Sequence, residues 1–130
     1  MTGTWTLIAP ERGRRPHRHP PRAAWADRVP GFDPSCPFCP GNEAQLPGII
    51  SESPSTETPG WRTRVVPNKY PAFTPEKEAP SATSAVPGFG HHEVIVETPR
   101  HDADIATMTA GDLTDVVRTC RSRYIDLMSR

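Results

Sequence analysis

Apolar and polar positions alternate with helical spacing only in the last quarter of the 130-residue chain. Thr109 and Asp112 resemble a capping box at the start of this segment, with Asp in place of the usual Glu. The apolar positions after this cap form one face of a helix: Leu113, Val116, Val117, Cys120, Tyr124 and Leu127. We predict a C-terminal helix that packs this face on a sheet, with Cys120 as a packing residue.

The remaining surface of this helix is expected to be basic. Its positions are Arg118, Arg121 and Arg123. Positive charge near a helix C-terminus complements the negative end of the helix dipole.

Three other runs have the composition of strands. One run covers residues 62–66 and is followed by Pro67. Another, the β-branched run 91–98, lies between Gly90 and Pro99. A shorter run, residues 5–8, stops before a proline. We therefore predict an α+β fold in which the C-terminal helix packs on a sheet.

Long loops separate these elements, since 17 Pro and 9 Gly are spread along the chain. We predict Pro-rich loops over residues 10–60 and 74–88, where no period of 2 or 3.6 persists. Leu, Ile, Val and Phe together number 22 of 130 residues, which is few for an independent core. We expect an incomplete domain whose core is sparse or is completed outside this chain.

Charge and hydropathy narrow the classes of partner. The formal net charge is zero and the pI is about 7.0, which argues against a general nucleic-acid binder. No apolar run reaches the roughly 20 residues that span a bilayer, and no signal peptide is recognised. We expect a cytoplasmic protein. The sequence also has no P-loop, no glycine-rich dinucleotide motif and no Gly-x-Ser-x-Gly nucleophile.

Cys36-Pro-Phe-Cys39 is the most specific local motif. Two thiolates at this spacing can both reach one tetrahedral Zn²⁺ at about 2.3 Å, and a metal would order an otherwise patternless segment. The alternatives are a redox dithiol and two unlinked cysteines. Pro40-Gly41 disfavours the redox reading, because a thioredoxin-like pair begins a helix.

A zinc site needs further ligands, and the sequence offers five histidines: His17, His19, His91, His92 and His101. His101 lies just past the clearest strand, where a loop can return to the cysteines. Of His91 and His92, at most one can join a site, since adjacent strand residues face opposite sides. A surface or structural role is the alternative for each. No histidine pair follows at zinc-finger spacing.

Two short segments suit a nucleotide. The segment Arg12, Gly13, Arg14 and Arg15 can clamp phosphate oxygens through its guanidinium groups. A solvated basic loop is the plain alternative. Asn68-Lys69 directly follows a predicted strand and can present an amide to a base or a ribose.

Taken in order, these segments resemble the N-terminal half of the galactose-1-phosphate uridylyltransferase family, a branch of the histidine-triad superfamily. The segments that carry the resemblance are residues 3–10 (GTWTLIAP), 12–16 (RGRRP), 36–43 (CPFCPGNE), 64–73 (RVVPNKYPAF) and 90–101 (GHHEVIVETPRH). They cover nearly the whole chain, so residues 1–130 are expected to be the N-terminal part of such a domain.

The resemblance implies a histidine-triad-like antiparallel sheet and a transferase. The reaction moves a uridylyl group from UDP-glucose to galactose 1-phosphate, through a covalent intermediate on a His-Pro-His histidine. By position, Cys36, Cys39 and His101 match three zinc ligands of the family. Residues 12–15 match its first nucleotide loop, and Asn68-Lys69 matches a further contact to the nucleotide sugar.

One departure from the family pattern bears on activity. The family's His-Pro-His and fourth zinc ligand follow the helix with which this chain ends, and neither is present. We expect the 130 residues alone to be inactive, as a fragment or truncated product. Two other hypotheses are a zinc-stabilised, non-catalytic module that binds nucleotide sugars or phosphates, and a redox dithiol protein. Family members pair subunits, so a homodimer is possible, and adenylyl sugars remain an alternative to uridylyl sugars.

Overall fold

The fold was examined in a computed structural model that describes residues 4, 6–15, 29–54, 60–75 and 88–130. Three strands form an antiparallel sheet in the order β1-β2-β3: Ser51–Pro54, Trp61–Pro67 and Glu93–Val96. One α-helix, α1, spans Ala110–Met128 and contacts β2 and β3. Two 3₁₀ turns lie at Pro10–Arg14 and Glu43–Gln45. The predicted α+β class, with an antiparallel sheet and a packed helix, is confirmed.

The central strand is the best-buried element. Val65 and Val66 of β2 are at most 1% exposed, and Thr63 and Arg64 of the same strand are also buried. Outside β2, the only buried side chain among the described residues is Cys39. The apolar core is therefore as thin as the composition indicated.

The prediction of one unbroken loop over residues 10–60 is wrong at β1. Ser51–Pro54 pairs with β2 although the segment Ser-Glu-Ser-Pro has a low strand propensity. Its pairing supplies the reason: Ile50 N–H donates to the Val65 carbonyl at 2.8 Å, and Glu52 binds Arg64 across the ladder. Most of the predicted loop 74–88 lies outside the described residues.

Two of the predicted strands differ in the structure. Trp5 of the predicted strand 5–8 lies outside the described residues, residues 6–8 form no strand, and Leu7 and Ile8 are exposed. The predicted strand 91–98 is a ladder only over Glu93–Val96. His91 and His92 precede it and belong to the turn region.

The helix begins as predicted and packs differently from the prediction. Thr109 Oγ1 accepts from Asp112 N–H at 3.2 Å, and an Asp112 carboxylate oxygen accepts from Thr109 N–H at 3.0 Å, so the capping box is present. Cys120 is exposed, as are Val117 and Tyr124, so the prediction of Cys120 as a packing residue is wrong. These positions lie on the side of α1 away from the contacts with the sheet.

Polar side chains form much of the contact between helix and sheet. Thr63 and Thr119 hydroxyls lie 2.6 Å apart, and Arg62 of β2 binds Asp112. Arg123, predicted to lie on the outer surface, makes a bidentate ion pair with Glu93 at 2.8 Å, and both side chains are only 12% exposed. The hydrophobic pattern missed this because the contacts depend on partners on other elements. Within the described residues, no helix is both long and apolar enough to cross a membrane.

Candidate functional site

Consecutive turns shape the segment around the two cysteines, residues 31–42, which we call the metal loop. Cys36 N–H donates to the Asp33 carbonyl at 3.1 Å, and Cys39 N–H donates to the Cys36 carbonyl at 3.3 Å. Asn42 N–H continues the series to the Cys39 carbonyl at 3.1 Å. Gly41 has a φ of 91°, a conformation that favours glycine over other residues. Local turn chemistry therefore brings the two thiols together.

The side chain of Asn42 closes the metal loop from inside. Its Nδ2 donates to the carbonyls of Asp33, at 3.0 Å, and Cys36, at 2.7 Å. Each of these carbonyl oxygens already accepts one backbone N–H and has a second lone pair, which the Asn42 amide occupies. The sequence analysis included Asn42 in the segment that resembles the family but assigned it no role. The Gly-Asn pair that follows the Cys-x-x-Cys motif is the sequence feature that could have indicated this turn.

His101 comes to the cysteines from the connection between β3 and α1. Its backbone N–H donates to the Gly31 carbonyl at 3.0 Å, which fastens this connection to the metal loop. The imidazole Nδ1 lies 3.5 Å from Cys39 Sγ. The ligand atoms of Cys36, Cys39 and His101 all lie within 4.8 Å of one another, so this group could hold a metal ion.

Burial acts on the pKa of the Cys39 thiol. Cys39 is 2% exposed, and this burial raises the pKa of its thiol, to which the neighbouring Cys36 also contributes. The N–H of Asp33 points at Cys39 Sγ from 3.4 Å and acts in the opposite direction. A metal that binds here must displace thiol protons, so its affinity must fall as the pH falls.

The donor set fits zinc. Two cysteine sulfurs and one imidazole nitrogen are ligands that Zn²⁺ takes in tetrahedral sites. The Asp33 carboxylate lies 3.9 Å from the other imidazole nitrogen, Nε2 of His101. A carboxylate behind a ligating histidine is the usual outer partner of a metal-bound imidazole.

The two segments predicted to contact a nucleotide meet in the structure. Arg12 lies in the first 3₁₀ turn, and its Nη1 donates to the carbonyl of Tyr70 at 3.1 Å. Gly13, Arg14 and Arg15 are exposed beside it. Tyr70 belongs to the turn that Asn68 and Lys69 begin, so the basic turn and this second turn are one surface.

Asn68 is held in place from both sides. Its backbone N–H donates to the His92 carbonyl at 2.9 Å, and its side-chain Oδ1 accepts from Tyr70 N–H at 2.9 Å. Lys69 is exposed. The amide of Asn68 is therefore oriented by the backbone, whereas the ammonium of Lys69 is free to sample solvent.

His92 lies beside Asn68, and the sequence analysis assigned it no role in nucleotide binding. Its Nδ1 accepts from Ala72 N–H at 2.9 Å, and its Nε2 lies 3.1 Å from Asn68 Nδ2. Burial, and then the positive charge of Arg12, lowers the pKa of the His92 imidazole. The ring is therefore neutral near pH 7. In the sequence, a histidine just before the β-branched run gave no signal for this contact.

A cleft of about 360 Å³ opens beside Asn68, and we call it the Asn68 cleft. Its walls include Ile50, Asn68, Phe73, His92 and Arg123. Mixed apolar and polar walls of this kind suit an organic ligand with a few polar groups. A second cavity, of about 280 Å³, adjoins the metal loop and shares no lining residue with the cleft. The metal group and the cleft are thus two separate places in the fold.

Comparison with known proteins identifies the family. The family model described as galactose-1-phosphate uridyl transferase, N-terminal domain, matches residues 1–130. Among curated proteins, ADP-glucose phosphorylase of Arabidopsis thaliana is 28% identical over an alignment 130 positions long, which covers 95% of this chain and 36% of that protein. Galactose-1-phosphate uridylyltransferase of Saccharomyces cerevisiae is 27% identical, over 98% of this chain and 36% of that protein.

Solved structures show the same relation. The crystal structure of the ADP-glucose phosphorylase from Arabidopsis thaliana with bound ADP-glucose matches with a TM-score of 0.64 and 31% identity. The match covers 82% of this chain and 34% of that one. The chain spans about a third of the length of the relatives that it matches. The match over all 130 residues shows that the chain belongs to the galactose-1-phosphate uridyl transferase family.

Proposed function

We propose that this chain forms the zinc-binding and part of the nucleotide-sugar-binding portion of a nucleotidyltransferase. The single observation that carries the proposal is the contact of Arg12 with the Tyr70 carbonyl. It joins the two segments that match nucleotide contacts of the family, residues 12–15 and Asn68-Lys69. The Asn68 cleft beside them has the size and polarity for part of a nucleotide sugar.

The residues divide the work by their chemistry. Guanidinium groups of residues 12–15 pair with phosphate oxygens, which they can contact with two parallel hydrogen bonds. The oriented amide of Asn68 donates to or accepts from a base or ribose, and Lys69 supplies a mobile positive charge. Binding of this kind positions the α-phosphorus for attack and shields its charge.

Zinc is assigned to Cys36, Cys39 and His101, with the fourth ligand outside this set. When bound, it supplies structural cross-linking between the metal loop and the connection that follows β3. The cavity next to this group shares no residue with the Asn68 cleft, which favours a structural metal over a catalytic one.

The reaction proposed is a double displacement of the UDP-glucose:hexose-1-phosphate type. A histidine attacks the α-phosphorus of UDP-glucose, a phosphorus–nitrogen bond forms and glucose 1-phosphate leaves. Galactose 1-phosphate then attacks the uridylyl-histidine and gives UDP-galactose. The 130 residues contain no His-Pro-His, so we assign the nucleophile to residues outside them.

The similarity to an ADP-glucose phosphorylase favours a second substrate pair, ADP-glucose with inorganic phosphate. Both candidates bind a nucleotide sugar and transfer its nucleotidyl group, so they place the same demands on residues 12–15 and Asn68. They differ in the base and in the acceptor.

The test is nucleotidyl transfer by the purified full-length protein. UDP-glucose and ADP-glucose are each supplied with galactose 1-phosphate or with phosphate, and release of glucose 1-phosphate is measured. We expect turnover with one of these pairs, a large loss of turnover for Asn68→Ala, and little change for Arg118→Ala on the exposed face of α1. Nucleotide-sugar binding without turnover would support the non-catalytic module. If the protein shows neither binding of a nucleotide sugar nor turnover, the proposal is wrong.

A further inference from the structure

The Ala72 N–H fixes the tautomer of His92. A backbone N–H is always a donor, and that of Ala72 lies 2.9 Å from Nδ1 of His92. Nδ1 must therefore carry a lone pair. A neutral imidazole has one proton, so this proton is on Nε2.

The Nε2–H of His92 then faces another donor. Asn68 Nδ2 lies 3.1 Å from His92 Nε2, and an amide NH₂ donates but does not accept. Rotating the Asn68 amide by half a turn does not help. It would bring Oδ1 to His92 but would place Nδ2 against the Tyr70 N–H, which now donates to Oδ1 at 2.9 Å.

Two donors therefore lie side by side at the wall of the Asn68 cleft, without an acceptor among the residues that the structure describes. A donor pair of this kind costs free energy until an acceptor satisfies both groups. Both side chains are only partly buried and both line the cleft, so a ligand can reach them.

We infer that His92 is a ligand-contacting residue, whose Nε2–H joins the Asn68 amide in donating to one acceptor oxygen of the bound nucleotide. This inference rests on the proposed function, which places a nucleotide sugar in the cleft. The acceptor is a phosphate oxygen, a ribose oxygen or a base carbonyl, and these share the chemistry that the two donors recognise.

Two substitutions of His92 separate contact with ligand from support of the turn. In His92→Gln, the amide NH₂ falls near the position of Nε2 and keeps the donor to the ligand. In His92→Asn, the shorter side chain can keep an acceptor near Nδ1 for Ala72 but loses the donor to the ligand. A residue that only supports the turn would tolerate Asn better than Gln, and a ligand contact predicts the reverse order.

The experiment is titration calorimetry of the zinc-loaded full-length protein with ADP and with UDP. We expect His92→Asn to bind the preferred nucleotide about tenfold more weakly than His92→Gln, the size of one lost hydrogen bond to a ligand. Adenosine and uridine provide the phosphate-free arm. A weakening for the diphosphates alone assigns the acceptor to phosphate, and an equal weakening for the nucleosides assigns it to the ribose or base.

The relative nucleotide affinities of the two variants test the role of His92 separately from the proposed function. If the wild-type protein binds neither nucleotide, the proposed function fails and the inference falls with it. If it binds and His92→Asn binds as well as His92→Gln, only the inference fails. Nitrogen NMR of the His92 ring provides an independent check. A proton on Nδ1 in the neutral ring would overturn the donor pair, whatever the binding data show.

Discussion

Two regions of the molecule, the metal loop and the sheet-helix half (β2, β3 and α1), are held together by different kinds of interaction. Neither has an aliphatic core of ordinary size, since only Cys39, Trp61, Val65 and Val66 are buried apolar residues in the described part of the chain. The metal loop is organised by backbone turns around a Cys₂His group. The sheet-helix half is held by arginine–carboxylate pairs that join β2 and β3 to α1.

This difference shows how a Pro-rich chain with few apolar residues forms a defined structure. Charge-assisted hydrogen bonds, and the coordination bonds of the proposed zinc, are directional, so a few of them can fix the relative positions of elements that a larger core would otherwise fix. The two devices respond to different perturbations. Chelation acts on the metal loop, and loss of a single arginine acts on the sheet-helix half.

The largest effect is expected from loss of the metal. Cys39→Ser, or treatment of the wild type with a strong chelator, removes the proposed zinc and leaves the metal loop with its turns alone. Structural zinc binding carries a large share of folding free energy, so we expect the melting temperature to fall by at least about 10 °C. Cys120→Ser is the matched control, because Cys120 is an exposed thiol far from the group. Equal melting temperatures for the two variants would contradict the zinc assignment.

The metal also predicts a pH dependence with a definite sign. Burial raises the pKa of the Cys39 thiol above its ordinary value of 9.0. In the zinc-free protein, the free energy that the protonated thiol contributes to folding is therefore kept below pH 9 and lost as the pH rises through the raised pKa. Zinc reverses the sign, because the metal needs thiolates and protons compete with it at low pH. Melting temperatures from pH 5 to pH 10, with and without chelator, should converge at low pH, where protons displace the metal, and separate as the pH rises. Parallel curves would show that no metal binds the thiols.

Arg123→Met should give the next largest effect. It removes the bidentate partner of Glu93 and leaves a carboxylate that is only 12% exposed without its ion pair. Leaving such a group unpaired costs about 3–5 kcal/mol in the free energy of unfolding. The double variant Arg123→Met/Glu93→Leu should recover most of this loss, since it also removes the stranded charge. Arg121→Met, on the exposed side of α1, is the control, and a similar loss there would contradict the account.

Arg64→Met should cost less. Arg64 is 3% exposed, donates to Glu52 at 2.7 Å and to Glu43 at 2.8 Å, and lies 4.3 Å from the Trp61 ring centroid. Both carboxylates are more than a third exposed and can be solvated when the arginine is lost. We expect a loss of about 1–3 kcal/mol by urea denaturation. If Arg64→Met lowers the free energy of unfolding more than Arg123→Met does, then the exposure of the unpaired carboxylate does not determine the size of the loss.

Thr109→Ala should give the smallest effect. It removes one half of the capping box of α1 and leaves the helix-sheet contacts in place. A lost N-cap costs about 0.5–2 kcal/mol. The hydroxyl and the N–H of Thr109 lower the pKa of Asp112, and the variant keeps only the N–H. The wild type should therefore lose this contribution as the pH falls through the lowered pKa, and the variant should lose less. Denaturation at pH 7 and pH 3 measures both, and an unchanged difference between the two pH values would refute the coupling.

Local chemistry made part of this molecule predictable from sequence. The capping box of Thr109 and Asp112, the strand before Pro67 and the close pair of thiols each depend on residues a few positions apart. The segment joining β3 to α1 brings His101 to the thiols, and the position of His101 just past the clearest strand, together with the resemblance to the family, favoured it over the other four histidines.

The rest depended on partners far along the chain. Ser51–Pro54 has no strand propensity and is a strand because β2 lies beside it. Arg123 looked like a surface residue because its partner Glu93 is 30 positions away. The place of His92 in the site depends on Ala72 N–H, 20 positions before it. Sequence periodicity carries no record of such pairings, which arise only when the sheet forms.

The most direct test of the division between the two regions is hydrogen exchange of the full-length protein, followed by mass spectrometry before and after zinc removal. The account predicts that chelation deprotects the metal loop and residues 99–103 first, while peptides from β2, β3 and α1 keep most of their protection. Protection that falls equally in all these peptides, or that does not change in the metal loop, would contradict it.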